Sequence, residues 1–340
     1  MNVPALTNNL KGTFYSNKNT LKVLKYASEN PALVEKSAVL VLSTLIRPIS
    51  ILMTPKTDKR EKEYMFAKSF ASGVLSYGLT SCIFKPVSKA MDTITNQPQK
   101  YLTKDTINTL KTAGKTLSES APFNFLKQIV KYTPAIVSIF PKALLTTVLI
   151  TPIIEIAFDK KYKINLPKFE PFKLESKKLQ KKEDKKQSFK GDRLARVIAK
   201  PLNNKAVQNF ALRHQNSNFF IKILSAKDLI ATGFFAVLTK KNKQIEEKNK
   251  EPLIINSFLS TTLAITGGFA VDKMTKKPME KFISRLEQAN KGDKDLPKYI
   301  EGARILKPIL ILGTLYYALV PFVSTFLSGK IAHAHGDKNG

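Results

Sequence analysis

Apolar residues along this chain come in long runs rather than in the alternation of a half-buried strand. Segments 253–271 and 308–328 carry no charged residue, 142–158 carries only Lys142 at its edge and Glu155, and 64–84 carries only Lys68. At 1.5 Å per helical residue such runs match a hydrocarbon layer of roughly 30 Å. Two more runs, 38–53 and 225–238, are interrupted by Arg47 and Pro48 and by Lys227 and Asp228, and suit spans, interfacial helices or core helices alike. The pattern predicts an all-α chain, a multi-helix membrane bundle with four to six spans. Pro48, Pro152 and Pro321 lie inside these runs. Each would cost about 3 kcal/mol in a water-soluble helix, whereas membrane helices satisfy the freed carbonyls through neighbours and hydroxyl side chains.

The chain resembles itself. Shifted by 188 residues, positions 37–91 match 225–279 at twelve of 55 positions, among them Thr44/Thr232, Ser69/Ser257, Ser72/Ser260 and Met91/Met279, where random pairing would give about 4. A third helix follows at a shift of 169, which sets Pro152 against Pro321. The reading is two copies of a three-helix unit related by a pseudo-two-fold, with helices at 34–53, 61–95 and 134–158, then 221–240, 251–288 and 299–329. Residues 1–158 form the first repeat, 159–205 a basic linker or surface segment, 206–330 the second repeat and 331–340 a polar tail. Residues 103–118 read as a short amphipathic helix with Ile107, Leu110 and Leu117 on one face. Three spans per copy would make the repeats inverted, two parallel. Loop Lys and Arg are more unevenly divided when only the second and third helix of each copy span, which favours four spans. No apolar stretch of signal-peptide type precedes Ala38, and the basic central segment is expected on the cytoplasmic side.

Charge narrows the partners. Lys+Arg of 56 against Asp+Glu of 26 gives a formal net charge of +30, yet only seven of the 56 are Arg. Base readout and planar phosphate recognition lean on Arg, whereas Lys suits anionic headgroups or a solvated surface. Nucleic acid is therefore disfavoured, and the expected partner is the lipid bilayer with its anionic headgroups; an oligomer stays open. Lys160, Lys161, Lys177, Lys178, Lys181 and Lys182 are the headgroup candidates. The competing reading is a basic soluble or peripheral scaffold on nucleic acid or anionic surfaces.

Catalytic chemistry is thinly provided for. With three His and one Cys, no nucleophile and base arrangement can be built, and Gly114-Lys115-Thr116 lacks the earlier glycine of a phosphate loop, since Thr109 stands there. No enzyme activity, cofactor or metal is expected. Arg47 and Glu155 are the ionisable residues deepest in apolar runs and form a candidate intramembrane ion pair. Ser69, Ser72, Gly73 and Ser76, with Ser260, Ala264 and Gly268 in the counterpart helix, are spaced for close packing of the two helices near the pseudo-two-fold. Ser225 followed by Asp228 reads as a helix start. The functional class that results is a multi-pass membrane protein acting in transport or membrane organisation.

Overall fold

The computed structural model describes residues 14–53, 59–158, 187–215, 219–243, 245, 247–320 and 323. Every regular element among them is helical. Helix α1 (Lys18–Glu29) is capped by Asn17, whose side chain accepts from the amides of Asn19 and Thr20 at 2.8 and 3.3 Å. Helix α2 (Pro31–Val41) begins on a proline, passes through a π turn (Leu42–Ile46) and continues as α3 (Arg47–Leu52). The turn falls where Pro48 leaves the helix one amide short, a usual place for a wider turn. Helix α4 (Lys59–Asn96) is followed by the short α5 (Pro98–Tyr101) and α6 (Lys104–Leu110). Next come α7 (Ala121–Val137) and α8 (Ile139–Phe158).

Past residue 186 the order is α9 (Gln187–Leu202), α10 (Lys205–His214), α11 (Phe219–Lys241), α12 (Glu247–Met274), α13 (Lys276–Ala289) and α14 (Leu296–Thr314), the last ending in a second π turn (Leu315–Leu319). Among the described residues three stretches are long and apolar enough to cross a membrane: Ala121–Ile150, Lys250–Met274 and Leu296–Leu319. Two differences from the sequence reading stand out. Residues 187–202, read as the end of a basic linker, form α9, and the helix expected over 103–118 stops at Leu110, with a single 3-10 turn at Leu117–Glu119.

The described residues gather into two compact units that cut across the sequence halves. The first draws on Met1–Ser81, Tyr132–Ile153 and Ser217–Gly340, the second on Cys82–Lys131 and Ile154–Asn216. In the second unit Met91, Ile94, Leu110, Phe123, Ala195 and Ala211 are fully buried in one apolar core, with Leu117 and Ile107 packed into it. The amphipathic face read from 103–118 is thus real, although the helix behind it is shorter.

The first unit buries apolar residues too, among them Ile51, Met65, Ile150, Ile221, Leu224 and Leu253, but it adds polar groups to its interior and apolar ones to its surface. Its outer surface carries Leu45, Ile49, Phe70, Val74, Phe140, Phe234, Val237 and Phe258, all substantially exposed. Its interior holds Ser43, Arg47, Ser69, Ser76, Lys227, Asn256, Ser257, Ser260 and Thr261, all buried. A smaller apolar cluster joins Leu24 of α1 to Leu286 of α13 and Tyr299 and Ala303 of α14. There the backbones nearly touch: a Cβ on Gly302 would stand 1.8 Å from the carbonyl oxygen of Leu24.

Candidate functional site

Within the first unit, α2, α3, α4, α8, α11 and α14 surround a cavity of about 110 Å³, several times what one water molecule needs. Its walls are unusually basic. Arg47, Lys68, Lys142 and Lys227 face it, against the carboxylates of Glu35 and Asp228.

The two π turns build one side. In the first, the Arg47 amide reaches back to the Leu42 carbonyl, a bond one residue longer than the helical one. The Ser43 carbonyl, which would have taken that amide, instead accepts the Ser69 hydroxyl at 2.8 Å. In the second turn the Val320 amide goes to the Leu315 carbonyl, and the freed Tyr316 carbonyl accepts Nη1 of Arg47 at 3.1 Å. Each turn therefore exposes a buried acceptor, and a side chain on another helix satisfies it. Arg47 also donates to the Ser260 hydroxyl at 3.3 Å and lies 4.4 Å from the ring centre of Tyr316, so its charge rests on dipoles and a π face rather than on a carboxylate.

Opposite, Glu35 sits between two lysines. Lys227 reaches Oε1 at 2.7 Å and Lys36 lies 2.9 Å from Oε2; the second contact is an ion pair without hydrogen-bond geometry at that oxygen. Lys227 also meets Asp228 at 2.9 Å. These four groups balance one another and lie, except for Asp228, almost wholly inside, which is how buried charge is tolerated.

Lys68 hydrogen-bonds the Ser257 hydroxyl and stands 3.8 Å from the ring centre of Phe235. Lys142 lines the same cavity and makes no ion pair or side-chain hydrogen bond among the described residues.

The residues singled out in the sequence fall as follows. Arg47 is buried at the cavity, where its partners are Ser260 and Tyr316; Glu155 belongs to the second unit. Ser72 lines the cavity. Gly73 is pressed against the first π turn, a Cβ there falling 1.8 Å from the Ser43 hydroxyl, and Gly268 against Leu312 at 2.4 Å. Ser76 and Ala264 are buried. The close approaches of Gly73 and Gly268 are thus to the first π turn and to α14, while Lys68 of α4 bonds Ser257 of α12. Ser225 and Asp228 do not open a helix: α11 begins at Phe219 and carries both inside it, where Lys227 is neutralised by Glu35. Lys160, Lys161, Lys177, Lys178, Lys181 and Lys182 lie outside the described residues.

Glu35, Lys68, Lys142 and Lys227 were not singled out as a site. The available signal was one basic residue in each of four apolar runs, a repetition that solvated charge does not produce. Among the described residues no cluster of three His, Cys, Asp or Glu could hold a metal ion. No family model matches the chain, and no curated protein or solved structure is significantly similar to it.

Proposed function

We propose that the protein is a multi-pass membrane protein whose first unit is an internally duplicated six-helix bundle around a polar, cation-lined cavity, acting in the passage or retention of a small polar solute. One observation carries this reading: beside its buried apolar residues, the first unit encloses a set of charged and hydroxyl side chains and turns large apolar side chains outward on several of its helices. In water that arrangement exposes apolar surface and buries charge at a loss on both counts. In a bilayer both become favourable or neutral. Beside the three long apolar stretches, α2 with α3, the first part of α4 and α11 put Leu45, Ile49, Phe70, Val74, Phe234 and Val237 on the outside and supply the remaining spans.

Helix boundaries and contacts support the duplication. Helices begin at Lys18, Pro31 and Lys59 and again at Lys205, Phe219 and Glu247, separations of 187, 188 and 188 residues. Equivalent positions also meet: a Cβ on Gly73 would lie 3.4 Å from Thr44, and their counterparts Thr261 and Thr232 join hydroxyls at 2.6 Å. The third helix of each copy packs on the other copy. Tyr132 and Phe140 stack edge-on against Phe220 and Phe234, while α14 lies along α1 and α2. A mutual exchange of this kind suits two repeats that fold together. The lysines flanking the spans, Lys240 and Lys241 among them, suit an anionic leaflet.

The test is extraction. Expressed protein should stay in membranes washed with alkaline carbonate and leave only with detergent. Release by carbonate would overturn the reading and leave the basic surface as the functional clue.

A further inference from the structure

The cavity carries more positive charge than its own carboxylates can answer. Glu35 and Asp228 are used up by Lys36 and Lys227. Arg47, Lys68 and Lys142 remain, and none has a carboxylate partner. Three basic side chains lining one cavity are costly there when no carboxylate pairs with any of them directly. Two of the three are nevertheless held in place by neutral groups: Arg47 by a π-turn carbonyl, a serine hydroxyl and a tyrosine ring, Lys68 by a serine hydroxyl and a phenylalanine ring. These contacts leave most of their donors unspent. A guanidinium has five N–H groups and an ammonium three, and Lys142 spends none on the described residues.

We infer that the cavity is a binding site for a small oxyanion, a phosphate, sulfate or carboxylate group, taken by Arg47, Lys68 and Lys142. The inference rests on the reading of the first unit as a membrane-embedded bundle and names the class of solute it would hold. An oxyanion supplies several acceptor oxygens in a space of about 110 Å³. It answers the excess charge, and the planar fork of Arg47 can take two of its oxygens at once. Halides offer no such geometry. A free ion and the phosphate of a lipid headgroup present the same oxygens, so both fit the site.

The experiment uses the full chain purified in detergent, in chloride buffer, with inorganic phosphate, sulfate or a small dicarboxylate as probe and heat of binding and thermal melting as readouts. At least one of these oxyanions should bind with measurable heat and raise the melting temperature, where equal chloride does not. Lys68→Met and Lys142→Met, which remove charge at nearly constant length, should each weaken that binding at least ~10-fold, a loss of about 1.4 kcal/mol. Both variants should melt no lower than the parent without the probe, because each relieves repulsion in the cavity. Conversely, absence of oxyanion-dependent heat and stabilisation overturns the proposal, as does binding that survives both substitutions unchanged.

Reconstitution into nanodiscs with and without phosphatidylglycerol separates the two sources. Stabilisation by the anionic lipid that both lysine variants lose assigns the oxygens to a headgroup, whereas stabilisation by phosphate in wholly zwitterionic lipid assigns them to a free ion. Carbonate extraction is read separately: a retained protein that binds no oxyanion sinks this inference alone, whereas a released protein sinks the membrane reading.

Discussion

Phe123 and Ile49 are both large apolar residues on helices, yet Phe123 is fully buried in the second unit and Ile49 is 55 % exposed on the first. The contrast extends through both units. The second buries methionine, isoleucine, leucine and phenylalanine together and has exposed ion pairs such as Lys100 with Asp192, beside a pair of the buried Lys131 with the half-exposed Asp92. The first also buries leucine, isoleucine and methionine, yet it turns other leucine, valine and phenylalanine side chains outward and encloses serine, threonine, lysine and arginine. The two units thus differ in how much charge they enclose and how much apolar surface they turn outward, and in the membrane placement we propose that difference is one of solvent. Burial of apolar area stabilises a fold only where water is the alternative. Where lipid is the alternative, close backbone approach and satisfied polar groups must hold the helices together.

The largest effect should come from the unit with the ordinary core. Phe123→Ala removes a ring that is 0 % exposed and should cost about 3–5 kcal/mol. Hydrogen exchange should register it as lost protection in the second unit's amides. Unchanged protection would mean that the second unit is not held by its apolar core.

Next in size is a matched pair that can break the comparison outright. Ile49→Asp in the first unit should cost about 2.5–3.5 kcal/mol if its side chain faces lipid. Val197→Asp in the second, at 61 % exposure, should stay within about 0.5 kcal/mol. Thermal melting in nanodiscs and the yield of membrane-integrated protein report both. Equal, near-neutral outcomes would remove the reason for placing the first unit in a bilayer.

A smaller effect separates the two kinds of packing. Gly302→Ala forces a methyl group against the Leu24 backbone, which cannot rotate away, and should destabilise by about 1–3 kcal/mol. Gly233 lies in α11 with nothing within 4 Å of a built Cβ, and Gly233→Ala should instead gain about 0.5–1 kcal/mol of helix propensity. If both substitutions moved melting in the same direction, glycine at Gly302 would not be there to let α1 and α14 meet.

The sequence and the structure agree where chemistry is local. Apolar runs free of charge announce themselves, so the helices over 253–271 and 308–320 were legible, as was the oddity of Arg47. What Arg47 binds was not legible, because its acceptor is a backbone carbonyl freed by a π turn on a helix some 270 residues later in the chain. Glu35 was hidden by its surroundings: Pro31 to Lys36 reads as an ordinary solvated helix start, and only the approach of Lys227 makes it a buried pair. Segment 187–202 was hidden by composition. Its basic residues mask the helical spacing of Leu194, Ala195, Ile198, Ala199 and Leu202, which insert into the second unit's core. Gly302 was passed over because nothing near it in sequence announces Leu24.

The smallest effect is electrostatic and sharpens the same contrast. Asp192 accepts from Lys100 at 2.9 Å and from the Tyr101 hydroxyl, and pairs with Arg196 at 3.1 Å. The Lys100 bond foremost, then the tyrosine, holds its carboxyl down at about 2, against about 3.9 for a free aspartate. A folded-state value below the unfolded one makes the contribution complete above roughly pH 4 and progressively lost as pH falls toward 2. Protection of amides near Tyr101 and Asp192 should therefore exceed that of the Asp192→Asn variant at pH 6, and the gap should narrow between pH 4 and pH 3. Because the Lys100 side chain is half exposed, 1 M salt, with a screening length of about 3 Å, should narrow it as well. The pair of Glu35 with Lys227 is enclosed and should not respond to salt. A first unit loosened by salt as readily as the second would mean that water reaches its charges, and the two regions would then share one solvent.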